Sequence, residues 1–185
     1  GLYGDVYLAA TEGERIESVR VFSEPAGGAD SGNASAAAAA ADGPWTVRVV
    51  VELESPRPMS TPLRVRLSPS ATATAAQTVE LPAGRSEHSL TLVVEEPRLC
   101  WPNGYGPQHL YHLEVESGSD RRQAQVGLRR LELISEPDEH GRGMRFRVNG
   151  REVFAKGANW IPADAMPARQ TAERVRALLQ DAAAA

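Results

Sequence analysis

The chain has 185 residues, a formal net charge of −4 and one cysteine, Cys100. That length suffices for one domain and part of a second. The acidic balance argues against a nucleic-acid partner, which needs a basic footprint. The single thiol excludes an intrachain disulfide, and no run of 18 apolar residues is present to cross a membrane. Aromatic residues are only 5% of the chain, so a core must rest mainly on Val, Leu and Ala.

Residues 1–8 read Gly-Leu-Tyr-Gly-Asp-Val-Tyr-Leu. A first strand is expected from Ile16 to Phe22. Residues 25–43 then bring Gly, Ser and Asp together with the alanine run Ala36 to Ala41. Six alanines are too few for a helix that stands alone, so 25–43 reads as a disordered loop. Asn33-Ala34-Ser35 within it is an N-glycosylation triplet, which leans toward a secretory route.

Trp45, Val47, Val49, Val51 and Leu53 share one parity, the period-two mark of a strand with one buried face. Val50 has the opposite parity and is expected to tolerate a charge. Leu63, Val65 and Leu67 repeat the pattern, with Arg64 and Arg66 outward. Val79 and Leu81 follow, then Leu90, Leu92 and Val94, then Tyr111, Leu113 and Val115. Val126 and Leu128 open a last run that ends near Leu133. Seven short strands separated by turn-rich gaps predict a mainly β, immunoglobulin-like antiparallel sandwich over residues 14–135. His109 and His112, three apart, do not share a strand face, so no metal site is expected.

The tail changes character. Met144, Phe146 and Val148 alternate with Arg145 and Arg147. Asn149-Gly150 then supplies a two-residue turn, and Glu152, Phe154 and Lys156 return. After Phe154-Ala155-Lys156-Gly157-Ala158-Asn159-Trp160 the prolines Pro162 and Pro167 break the chain. Thr171 is placed to cap a helix with Glu173 in its first turn, and Val175, Leu178, Leu179 and Ala182 form its apolar stripe. Strand, loop and helix make one β/α unit. One such unit cannot bury its strand, so residues 136–185 read as cut short, and the tail beyond about 136 is expected to be loosely held.

These motifs, taken together, resemble glycoside hydrolase family 2. The order is residues 1–8, the sandwich, Leu99-Cys100-Trp101-Pro102-Asn103-Gly104-Tyr105-Gly106, Gly127-Leu128-Arg129 and Lys156 to Asp164. Asn159-Trp160-Ile161-Pro162-Ala163-Asp164 and the Trp-Pro-Asn-Gly-Tyr-Gly turn point to the β-mannosidase branch. Related galactosidases and glucuronidases carry Asn-Arg-His-Glu in place of the first. The chain departs from the family at Tyr3-Gly4, usually Trp-Arg, and at Cys100-Trp101, usually Trp-Trp. The resemblance implies that residues 1–13 end a jelly-roll domain and 14–135 form the sandwich. Residues 136–185 then begin a truncated (β/α)8 barrel.

The resemblance further implies a fragment of a retaining exo-β-mannosidase acting on terminal non-reducing β-D-mannose of oligosaccharides. No cofactor is implied. The partners expected are β-mannoside oligosaccharides, bound through the complete barrel, and the absent barrel and jelly-roll domains, contacted within the molecule. For a eukaryotic source the implied route is lysosomal or secretory. The family's two catalytic glutamates lie on later barrel strands. No Glu of this chain matches them, so no catalytic residue is assigned and the fragment alone is expected to be inactive.

Substrate binding is expected at Asn159, Trp160 and Asp164, at the end of the first barrel strand, where barrel sites form. An indole stacks on a pyranose, while an amide and a carboxylate fix hydroxyls. By residue type alone Trp160 reads as core and Asp164 as a turn cap. The resemblance turns Asn159 and Trp160 toward the pocket and leaves Asp164 open between the two. The turn chemistry of Pro102-Asn103-Gly104 accounts for that motif without a ligand. Lys156 and Arg129 suit either a carboxylate at a domain junction or solvent. Two alternatives stand beside the fragment reading: a free-standing immunoglobulin-like binding module, and another family 2 exoglycosidase such as a glucosaminidase.

Overall fold

The structure, a computed structural model, describes residues 6, 8, 10, 13–26, 43–69 and 73–184. Most of residues 1–13, expected to end a jelly-roll domain, the body of the 25–43 loop and Asn33 lie outside the described residues. The chain divides into two compact units, Thr11–Ala155 and Gly1–Ala10 with Lys156–Ala185.

The larger unit is built on antiparallel strands. β1 (Arg15–Pro25), β2 (Trp45–Ser55) and β5 (Gly84–Val94) form one sheet, with β2 central. The second sheet runs β4 (Thr74–Leu81), β3 (Met59–Ser68), β6 (Tyr111–Ser117) and β7 (Asp120–Val126). The inward parity read from the sequence is the buried one. Trp45, Val47, Val49, Val51 and Leu53 are each at most 1% exposed, and they join Leu63, Val65, Leu67, Leu113 and Val115 in one cluster. Each such side chain contributes about 1.5–3 kcal/mol relative to leaving it in water. Between β4 and β5 the chain changes sheets across Pro82 and Ala83, and Gly84 carries the turn at φ +93°.

Three strand expectations need correction. Val50 is only 3% exposed, although its parity is outward. It sits on the central strand between Arg20 and Ser89, with Arg48 and Glu52 on either side. Long neighbouring side chains roof the outer face there. The last run is two strands, not one. β7 turns back on β6 through Gly118-Ser119 and carries Asp, Arg, Arg, Gln, Ala and Gln before Val126, so no apolar period marked it. Finally β1 runs on to Pro25, which pairs with Trp45, so the predicted loop begins later than residue 25.

Between Val126 and the next strand the backbone tucks against Cys100. Leu128 is fully buried and pairs in parallel with Leu99. A Cβ on Gly127 would lie 2.8 Å from the Cys100 Cβ, so only glycine allows this approach. β8 (Leu131–Ile134) then joins a third sheet with β11 (Arg145–Val148) and β12 (Arg151–Val153). A two-residue pair, β9 (Pro137–Asp138) and β10 (Gly141–Arg142), lies between them in sequence. The predicted Asn149-Gly150 turn is formed, with φ +49° and +79°. Its return strand ends at Val153.

Residues 154–166, which run from the end of the larger unit into the smaller one, pair with no described strand. A 3₁₀ turn (Pro167–Arg169) and helix α1 (Ala172–Ala184) follow.

Candidate functional site

The segment that carries the residues expected to bind substrate is open. Asn159 is exposed and Trp160 keeps 53% of its surface. Trp160 is therefore not packed as a core residue in this structure. Its neighbour Ile161 is 84% exposed.

Asp164 is more covered, and its contacts are local. One carboxylate oxygen accepts the Met166 N–H at 2.9 Å, and the other meets Arg174 Nη1 at 3.2 Å. Its carbonyl accepts from the Gln170 amide at 3.1 Å, and the Ala163 carbonyl accepts from Arg174 Nη2 at 3.3 Å. These bonds clamp the loop to the first turn of α1. A carboxylate offers about four acceptor positions, so Asp164 retains capacity for a hydroxyl.

Thr171 caps α1 as its residue type predicted. Its Oγ1 accepts the Arg174 N–H at 3.3 Å. The Glu173 carboxyl is held below its ordinary range by a hydrogen bond from its own backbone N–H, then by the Thr171 hydroxyl. Val175 and Leu178 are half-covered, Leu179 is exposed, and α1 buries no residue.

Before this loop in sequence, the larger unit holds a set of ties that the sequence only partly disclosed. At its centre is Asn149, 7% exposed. Its backbone N–H donates to the Arg130 carbonyl at 2.9 Å, and its Oδ1 accepts the Arg130 N–H at 2.9 Å. Its Nδ2 donates to the Cys100 carbonyl at 3.2 Å. A residue expected only to make a turn thus ties the hairpin to Arg130, just before β8, and to Cys100.

Tyr105 adds a second tie. Its hydroxyl accepts the Phe154 N–H at 2.9 Å, and Arg151 lies over its ring at 5.3 Å. The Pro102–Tyr105 turn is closed by Tyr105 N–H to the Pro102 carbonyl at 3.0 Å. A Cβ on Gly106 would meet the Trp101 ring at 2.8 Å. Trp-Pro-Asn-Gly-Tyr-Gly is therefore a packing motif in this structure. These ties hold the hairpin within the larger unit.

The buried carboxylates serve the sandwich. Glu14 accepts from the Thr61 hydroxyl and, at 3.3 Å, from Ser117 Oγ. Glu114 is paired with Arg66 and Arg121 and accepts from Gln123 at 3.0 Å. Among the described residues no group of three His, Cys, Asp or Glu side chains is placed to hold a metal ion.

No family model matches the chain. β-Mannosidase B of Emericella nidulans is 44% identical over 91 residues, 46% of this chain and 11% of the relative. β-Mannosidase B of Aspergillus oryzae is 42% identical over 93 residues, 48% of this chain and 11% of the relative. The chain thus spans about 11% of the length of the curated relatives it matches. Among solved structures, β-D-mannosidase from Dictyoglomus thermophilum superposes with a TM-score of 0.74 at 28% identity, over 92% of this chain and 20% of that one. β-Glucuronidase 2 of Bacteroides uniformis reaches a TM-score of 0.55 at 18% identity, over 76% of this chain and 18% of that one, a likeness of fold alone. In sequence and in structure the chain resembles the β-mannosidases of glycoside hydrolase family 2.

Proposed function

We propose that this chain is the sandwich and the opening of the catalytic barrel of a retaining exo-β-mannosidase that releases terminal β-D-mannose from oligosaccharides. The observation that carries this reading is the superposition on the Dictyoglomus β-mannosidase across 92% of the chain, joined to 28% identity. The glucuronidase likeness is weaker in both measures, which favours the mannosidase over other family 2 activities.

Retaining hydrolysis needs an acid and a nucleophile about 5–5.5 Å apart. The chain's buried carboxylates, Glu14 and Glu114, are engaged by hydroxyls, arginines and an amide. Neither is free to attack an anomeric carbon. The 185-residue chain is therefore assigned a scaffold and substrate-positioning role, with no turnover of its own. Trp160 supplies a stacking surface for the sugar. Asn159 offers an amide to its hydroxyls, and Asp164 fixes the loop while keeping lone pairs for a further hydroxyl.

The test is a substrate comparison. The complete polypeptide encoded by the gene is expected to hydrolyse a chromogenic β-mannoside in preference to the matching β-galactoside and β-glucuronide. The 185-residue chain is expected to hydrolyse none. Preference for another glycoside, or turnover of the mannoside by the short chain above a heat-killed control, would overturn the assignment.

A further inference from the structure

A cleft of about 580 Å³ runs along β1 at residues 21–25. β1 is the edge strand of its sheet, with β2 on one side only. Residues 127–131 line the cleft as well, and their backbone is held at two points. Leu128 is fully buried, and its carbonyl accepts the Cys100 N–H at 2.8 Å. Arg130 exchanges two hydrogen bonds with Asn149. Arg129 stands between these anchors and is exposed, because its neighbour Leu128 takes the inward position. From β2, Arg48 pairs across to Phe22 and lies 4.4 Å from its ring centroid, which fixes the guanidinium at the cleft. All of these residues belong to the larger unit.

The charge of the cleft is unbalanced. Arg48, Arg129 and Arg130 line it against one carboxylate, Glu24. Arg130 is paired with Glu132 at 3.0 Å. Arg48 and Arg129 make no ion pair among the described residues. The other end of the same sheet face differs. There Arg15 meets Glu54 at 2.8 Å, Arg85 meets Glu52 at 3.8 Å and Arg20 meets Glu87. Ser23 and Thr46 add two hydroxyl donors to the cleft. A concave surface of one sign concentrates the opposite charge, and a guanidinium fork meets two oxygens of an oxyanion at once. An apolar occupant would desolvate the arginines without giving them a partner.

We propose that this cleft binds a tetrahedral oxyanion, phosphate or sulfate, either free or as an ester on a larger molecule. Arg48 and Arg129 are its charged donors, with the Ser23 and Thr46 hydroxyls beside them. Arg130 adds background charge, since Glu132 already holds its guanidinium. The donors come from three parts of the chain: β1, β2 and residues 127–131. That spread suits a group whose oxygens point in three dimensions better than it suits a planar carboxylate. The inference goes beyond the proposed function and does not rest on it.

Anion titration followed by amide NMR tests the site without requiring activity. Inorganic phosphate, sulfate and acetate are each added to the 185-residue chain, with chloride at matched ionic strength as the reference. The amides of Thr46, Arg48, Arg129 and Arg130 are expected to shift saturably with phosphate and sulfate. The dissociation constant is expected on the order of 1 mM, which two charge-assisted contacts sustain. Arg129→Gln and Arg48→Gln, both at exposed positions, are each expected to weaken binding about fivefold or more. Arg64→Gln, exposed on β3 in the other sheet, is expected to leave it unchanged. Shifts that do not saturate, that chloride reproduces, or that survive Arg129→Gln at full affinity would overturn the site. Tighter binding of acetate than of phosphate and sulfate would overturn the choice of ligand. Calorimetry on the complete polypeptide closes the test. Phosphate or sulfate binding there that Arg129→Gln abolishes supports the site, whereas binding by the short chain alone would make the cleft a contact within the larger protein and overturn it.

Discussion

Val49 and Leu178 are both apolar residues on a stripe that the sequence marks as inward. Val49 is wholly buried, whereas Leu178 is only half-covered on a helix that buries nothing. The difference lies in partners. Val49 has β1 and β5 on either side and the β3–β6 sheet across the core. Helical stability comes mainly from packing of the apolar face against something else, and α1 is held chiefly by Asp164, Thr171 and Arg174. One unit of this molecule owns its core, and the other owns a pattern that calls for one.

The sharpest way to break that contrast is a matched pair of substitutions. Val49→Asp places an unpaired carboxylate in the sandwich core and is expected to cost several kcal/mol, enough to unfold most of the chain. Leu178→Asp is expected to stay within about 0.5 kcal/mol. Chemical denaturation followed by circular dichroism compares them directly. Equal losses would erase the distinction between the units.

Asn149→Ala probes the joint. Removing its side chain leaves the Arg130 N–H and the Cys100 carbonyl without partners, at about 1–3 kcal/mol. Positive φ at Asn149 adds to the loss. Asn149→Gly keeps the turn while removing the ties, so it is expected to lose less than alanine. A glycine variant as poor as alanine would mean that the backbone conformation contributes nothing.

Trp160→Ala separates stability from recognition. With 53% of the residue exposed, the melting temperature of the complete polypeptide is expected to stay nearly unchanged, while kcat/KM for a β-mannoside falls about tenfold or more. Trp160→Phe is expected to be intermediate, because a smaller ring keeps part of the stacking surface. A large drop in melting temperature with normal kinetics would make Trp160 a packing residue of the finished barrel.

The smallest effects concern α1. Thr171→Ala is expected to fray the helix by about 1 kcal/mol without moving the melting of the sandwich. Glu173 gives the same helix a pH dependence. Its carboxyl is held below its ordinary value of 4.5 in the folded chain. Its contribution is therefore present above that value and is lost as pH falls through the lower folded one. NMR shifts of residues 172–176 followed through an acid titration would register this. A helix that strengthens on acidification would reverse the sign.

Much of the larger unit was legible because its strands bury one face. Five apolar residues of one parity in β2, and Asn149-Gly150 between alternating runs, carried their structure openly. β7 was not legible, since an edge strand needs hydrogen bonds but no apolar period. The burial of Val50 depends on strand order, which periodicity does not encode. The side-chain ties of Asn149 join residues 19 and 49 positions away, beyond any local pattern. At the candidate site the capping roles of Thr171 and Asp164 followed from residue type. The sugar-facing roles expected of Asn159 and Trp160 came from resemblance alone, since no local pattern encodes them.

Residue-resolved hydrogen exchange on the 185-residue chain tests the contrast between the units most directly. Amides of residues 45–53 are expected to exchange at the slow, global limit. Those of residues 156–184 are expected to exchange orders of magnitude faster, with residues 145–153 in between because Asn149 and Tyr105 tie them down. Protection across residues 153–160 equal to that of 45–53 would contradict the account, because the smaller unit would then own a core as the sandwich does.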